Sequence, residues 1–233
     1  MSNALASPGN PANAFAPARR IQQSLIAAAE KRTLIWLAAR TPAWINSDHL
    51  TAIGFVSQCL AGMCYALSRL NPHMLVVGIL CLALNWLGDS LDGTLARVRN
   101  RQRPRYGFYV DHITDTIAAF FLMGGLALSG YVHPAIAFGM LVAFLMLSIE
   151  AYLATYTLGK FQLSCCKFGP TEIRILLAIG NVALLRNPII KIFGRQVLLF
   201  DFGGLVAIAG MSCMLIVSAI RHTVQLYNEE RIA

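Results

Sequence analysis

Acidic side chains are scarce: 11 among 233 residues, with charged residues of both signs at only 13%. Soluble domains carry about a quarter charged residues, so a fully water-facing surface is excluded. With 57% of residues apolar, the chain reads as a polytopic membrane protein. The six cysteines, Cys59, Cys64, Cys81, Cys165, Cys166 and Cys213, include no Cys-x-x-Cys pair. Most fall in apolar segments, which argues against a disulfide framework or a zinc site and leaves them as small buried hydrophobes. No apolar run precedes Arg19 and Arg20, so residues 1–19 are expected to be a disordered tail, not a signal peptide. No internal repeat and no second domain is evident. The net charge of +8, on a chain this apolar, points to anionic headgroups and phosphate substrates and not to nucleic acid.

Six apolar segments are long enough to span, at about 50–67, 74–97, 108–131, 134–158, 171–185 and 197–220. A hydrocarbon core of about 30 Å needs about 20 helical residues. The expected fold is therefore an all-α membrane bundle of six transmembrane helices over residues 48–222. Residues 20–41 place Ile21, Leu25, Ala28, Ile35, Trp36 and Ala39 roughly on one helical face. They read as an interfacial amphipathic helix, with Trp36 and Trp44 at headgroup level. Pro42 ends it, and Ser47 or Asp48 is expected to cap the first span. Lys and Arg at 19–40, 97–105, 160–174 and 221–231 fall on one side, against Arg69, Arg186, Lys191 and Arg195 on the other. The richer side is expected to face the cytoplasm, as is the tail 223–233. A bacterial-type inner membrane is the expected location.

Four of the eleven acids lie close together: Asp89 and Asp92 near the end of the second span, Asp111 and Asp115 early in the third. A carboxylate at membrane depth costs about 2.5–3.5 kcal/mol on insertion scales. Spacings of three and four put each pair on one helical face. A turn of about ten residues is expected to make the two helices antiparallel neighbours, bringing four carboxylates to one point. An all-oxygen site of this kind suits a hard divalent cation, Mg²⁺ or Mn²⁺. Gly93, Ala96 and Gly107 leave bare backbone where a bulky group can dock, and Arg97 can fork onto a phosphate. Together these residue types describe a phosphoryl-transfer centre.

The pattern Asp89-x-x-Asp92-Gly93-x-x-Ala96-Arg97, nine residues, then Gly107-x-x-x-Asp111-x-x-x-Asp115 resembles the signature of the CDP-alcohol phosphotransferase family at all eight positions. The resemblance implies six spans after a juxtamembrane helix. It also implies transfer of a substituted phosphate from a CDP-linked donor to an alcohol, with release of CMP. By that likeness Asp89, Asp92 and Asp111 hold the metal ions, two in number. Asp115 completes the metal site and serves as general base. Gly93, Ala96 and Arg97 contact the nucleotide and diphosphate, with Gly107 beside them. Many relatives carry Pro-Asn-x-x-Thr at the start of the first span, where this chain has Ser47-Asp48-His49-Leu50-Thr51. Asp48 is then a candidate nucleotide contact. A homodimer is implied as well.

Two plainer readings of the aspartates are ion pairing with the arginines at 99–105 and a cation or proton pathway. The first does not require glycines at the same register. The second predicts acids spread over several spans, and only Glu150 lies deep in the fourth. Lys160, Lys167 and Arg174 are candidates for an acceptor pocket, set against a simple role in topology. His49 and His112 border acids but suit a hard-oxygen site poorly, and are expected to hydrogen-bond. The expected activity is metal-dependent transfer of a phosphatidyl-type group from CDP-diacylglycerol to a small polar alcohol. The alternatives are transfer from a soluble CDP-alcohol to a lipid acceptor, and a transporter using the same carboxylates.

Overall fold

The computed structural model describes residues 19–20, 27–158, 160–161, 170–192 and 194–231. The chain is all-α, as expected. Strand β1 (Arg19–Arg20) is followed by helix α1 (Ala27–Arg40), then α2 (Ser47–Ser68), α3 (Met74–Val98), α4 (Pro104–Leu128) and α5 (Pro134–Leu158). Strand β2 (Lys160–Phe161) precedes α6 (Pro170–Arg186), strands β3 (Ile189–Ile192) and β4 (Arg195–Leu198), and α7 (Leu199–Glu229). β1 pairs with β2 in parallel; β3 and β4 form an antiparallel hairpin.

The helix starts follow local chemistry. Proline opens α4, α5 and α6, where its missing N–H is no loss and its φ is already helical. α2 starts differently from expectation. Its cap is Asn46, in extended backbone, whose N–H donates to His49 Nδ1 at 3.2 Å. Ser47 is drawn away because its hydroxyl donates to the Asp92 carbonyl at 2.7 Å. Asp48 is drawn away by an ion pair with Arg103.

Four helices, α2, α3, α5 and α7, are long and apolar enough to cross a membrane. α4 carries Arg105, Asp111 and Asp115 in its first half, and α6 has only 17 residues. α7 buries only Gly204 among the described residues and exposes Leu205, Val206, Ile216, Val217 and Ile220. Its apolar flank is turned away from the protein core.

α2 is the hub of the fold and packs against both α3 and α4, which scarcely touch each other. The expectation that α3 and α4 are direct neighbours is thus corrected, as is the length of their connection, which is residues 99–103. The reason is glycine packing on α2. A Cβ on Gly88 of α3 would lie 2.6 Å from Gly54 N and Leu50 O of α2. A Cβ on Gly125 of α4 would collide with the Gly62 carbonyl of α2. Both partners therefore approach α2 backbone to backbone. The main core forms at the end away from the aspartates, around Tyr65, Leu75, Leu122, Leu126 and Leu184. There the Tyr65 hydroxyl donates to Asn181 Oδ1 at 2.9 Å, and Asn181 Nδ2 donates to the Leu75 carbonyl at 3.4 Å.

Gly124 and Gly125 provide a direct test, since a Cβ on Gly124 meets nothing within 4 Å. Gly125→Ala is expected to lower stability by about 1–3 kcal/mol through overpacking, while Gly124→Ala is expected to be neutral. Thermal unfolding of the purified protein in detergent, read by loss of monodispersity, checks the contrast.

Candidate functional site

Asp89, one residue after the tight α2–α3 crossing at Gly88, is carried by α3; Asp111 and Asp115 are carried by α4. Each of the three offers a carboxylate oxygen, and these atoms lie within 4.8 Å of one another. The halves of the signature meet even though their helices do not pack together, because α2 holds each helix at a fixed distance.

Asp92 sits one turn along α3. Thr51 of α2 donates to its Oδ2 at 2.6 Å, and the Gly93 amide lies against its Oδ1. A void of about 10 Å³ lies among Thr51, Asn85, Asp89, Asp92, Asp111 and Asp115. That is near the space of a single water-sized sphere. Its facing carboxylate and hydroxyl oxygens form a hard donor set, so the residues present fit a divalent cation.

This void shares Thr51, Asp89, Asp92 and Asp111 with a cavity of about 710 Å³ that Gly93, Ala96, Arg97 and Gly107 also line. Seven of the eight signature residues therefore face one space, with Asp115 beneath it. A Cβ on Gly107 would meet nothing within 4 Å, leaving open room at the start of α4. Arg97 folds back over Gly93, and its Nη2 donates to Thr94 Oγ1 at 3.0 Å. The Asp48–Arg103 ion pair also lines the cavity, with the Arg103 guanidinium 4.2 Å from the Tyr106 ring centroid. The hydrogen bond to Asp48 pushes the Arg103 pKa upward from a value that is already high.

One ion pair of the cluster is made by a residue of α6. Arg174 Nη2 donates to Asp89 Oδ2 at 2.6 Å and its Nε to Asn85 Oδ1 at 2.7 Å. Asn85 in turn donates to the Gly54 carbonyl at 3.0 Å. Among the loop arginines, Arg99 instead donates to the backbone carbonyls of Thr41, Pro42 and Ile45. Of the three acceptor candidates, only Arg174 is seen at the cavity. Lys160 is described only as part of β2, and Lys167 lies outside the described residues.

The histidines behave as expected. His112 Nδ1 lies 2.7 Å from the Phe108 carbonyl, and its ring stacks on Phe108 at 4.1 Å. His49 belongs to the α2 cap. Glu150 faces His222 of α7, Nδ1 to Oε1 2.6 Å, well apart in sequence from the signature.

Three residues at the site escaped the sequence reading as site residues: Asn85, Thr51 and Glu30. Asn85 is four before Asp89 and on its helical face, so periodicity contained the signal. Thr51 was visible only as one element of the first-span stretch. For Glu30 there was no signal: it is 59 residues before Asp89 in the chain, yet lines the same cavity.

Residues 44–221 match the family model described as CDP-alcohol phosphatidyltransferase, and the chain belongs to that family. A curated relative, cholinephosphotransferase 1 of Gallus gallus, is 26% identical over 152 residues. That match covers 62% of this chain and 44% of the relative, so the chain spans less than half the length of the relative it matches.

Asp111→Asn replaces one of the three converging carboxylates with a neutral group of the same shape. It is expected to weaken Mn²⁺ binding by at least about tenfold while the protein stays monodisperse. Titration of Mn²⁺ followed by electron paramagnetic resonance checks this.

Proposed function

We propose that this member of the family is a metal-dependent transferase. It moves a phosphatidyl-type group from CDP-diacylglycerol to a small polar alcohol and releases CMP. The observation that carries this reading is the convergence of Asp89, Asp111 and Asp115 around a small void at the edge of the cavity lined by the rest of the signature.

Asp89, Asp92, Asp111 and Asp115 would hold Mg²⁺ or Mn²⁺, two ions by the count that the signature implies for the family. When bound, such ions offset the charge that builds on the phosphate oxygens in the transition state. The remaining work falls to the chain's own residues. Gly93, Ala96 and Gly107 leave room for the nucleotide, and Arg97 supplies a fork for the diphosphate. Asp48 at the cavity wall is a further nucleotide contact. Asp115 accepts the proton of the attacking hydroxyl. The new bond joins that oxygen to the β-phosphorus as the bond from phosphorus to the CMP oxygen breaks. Arg174, with Lys160 and Lys167 on the same connection, forms the acceptor side.

A lipid-linked donor suits the site's position. From Met74 to Asp89 α3 rises about 22 Å, so the carboxylates lie near one end of the apolar span. A donor can keep its acyl chains beside the exposed apolar helices and place its diphosphate in the cavity. We take α4 and α6 as the third and fifth of six spans, place the arginine-rich end in the cytoplasm and expect a homodimer in the bilayer. The second reading, a soluble CDP-alcohol donor and a lipid acceptor, is favoured by the name of the chicken relative, a cholinephosphotransferase.

Asp115→Asn is expected to lower the rate of CMP release at least about 100-fold, with donor affinity within about threefold of the wild type. Single-turnover CMP release and equilibrium binding of labelled donor check the two halves. Full activity in this variant would remove Asp115 as the base. Lipid extraction after reaction with labelled donor separates the two donor classes.

A further inference from the structure

Glu30 is an acid of the cavity wall that lies outside the signature. It lies in the first turn of α1, and its partners among the described residues are three neutral donors, all on one oxygen. Trp86 Nε1 donates to Oε1 at 2.8 Å, Thr171 Oγ1 at 2.8 Å and Ser90 Oγ at 3.4 Å.

The register of these donors is informative. Trp86 and Ser90 are one turn apart on α3, each directly after Asn85 and Asp89. Arg174 grips Asn85 and Asp89; Glu30 grips Trp86 and Ser90. On α6, Thr171 and Arg174 are three apart and share a face. α3 and α6 are therefore joined at the site by two adjacent polar links. One is direct, through Arg174, and one runs through the carboxylate of α1. An ionised acceptor makes hydrogen bonds roughly twice as strong as neutral ones. Among the described residues no Lys or Arg hydrogen-bonds to Glu30; its three donors are all uncharged.

We infer that Glu30 is a positioning residue. Through it α1 clamps α3 to α6, and the clamp sets how Asp89 faces Asp111 and Asp115. The juxtamembrane helix is then part of the site's framework as well as an attachment to the membrane surface. This deepens the transferase reading, since it concerns the same carboxylates, but it rests on the geometry of the clamp and not on the identity of donor or acceptor.

The test uses the full chain and Mn²⁺ alone as probe. Glu30→Ala is expected to weaken Mn²⁺ binding about tenfold, the range seen when support of a metal ligand is lost. W86F combined with T171V removes two donors while leaving the carboxylate in place, and is expected to reproduce that loss. Glu30→Gln keeps an acceptor oxygen at the same reach and is expected to stay within about threefold of the wild type. A Glu30 that ligated the ion directly would behave in the opposite way: Gln as damaging as Ala, and W86F/T171V without effect. That pattern, or wild-type Mn²⁺ affinity in both Glu30→Ala and W86F/T171V, overturns the inference. Should Glu30→Ala fail to fold, the comparison of W86F/T171V with Glu30→Gln decides. Absence of CMP release from the wild type would sink the transferase reading and leave the Mn²⁺ comparison standing.

Discussion

Carboxylate repulsion is the interaction around which this molecule is organised. Asp89, Asp111 and Asp115 bring oxygens within 4.8 Å of one another. At an effective dielectric of about 20, each such pair costs about 3 kcal/mol. A fold that holds them together must supply compensation, and it does so in layers. Arg174 offsets part of the charge directly, and Thr51 and the Gly93 amide satisfy Asp92. A divalent cation, in the reading proposed above, would add to that compensation from the void between the helices.

The repulsion can be borne because the backbone beneath it cannot relax. α2 meets α3 at Gly54 and Gly88 and meets α4 at Gly62 and Gly125, and a Cβ on Gly62, Gly88 or Gly125 would collide with backbone. Helices packed backbone to backbone have little freedom to slide apart. The glycines on α2 thus belong to the same device as the aspartates. One set brings the helices close, and the other uses the separation that results. Interposing α2 also leaves an open space between α3 and α4 at the carboxylate end, and that space is the cavity.

The sequence made the site more legible than the arrangement of the helices. Asp89, Asp92, Asp111 and Asp115 could be placed on two faces because spacings of three and four are local properties of a helix. Helix boundaries followed from proline and from apolar length. The packing order did not follow. Small residues at four-residue spacing occur throughout membrane bundles, so nothing marked Gly62 and Gly88 as the contacts that put α2 between α3 and α4. The cap of α2 was misread for a related reason. Ser47 and Asp48 are good capping residues by type, but tertiary partners, the Asp92 carbonyl and Arg103, take both. Glu30 and Arg174 were beyond reach as partners of the cluster, because their contacts span 56 to 141 positions in the chain. Lys167 and the tail 1–18 fall outside the described residues.

The polar groups also divide the molecule along its length. At the end distant from the aspartates, the buried polar side chains answer one another: Tyr65 to Asn181, Asn181 to the Leu75 carbonyl. That end is closed, and its hydrogen bonds tie α2, α3 and α6 together in a dry core. At the other end the same three helices, joined by α1 and α4, place their polar groups around a cavity large enough for a nucleotide-sized ligand. A helix held rigidly at one end and opened at the other acts as a strut. Chemistry on a phosphate requires reacting groups fixed to a fraction of an ångström, and a strut anchored in a sealed core provides that without closing the site. The sealed end therefore belongs to the function as fully as the open one.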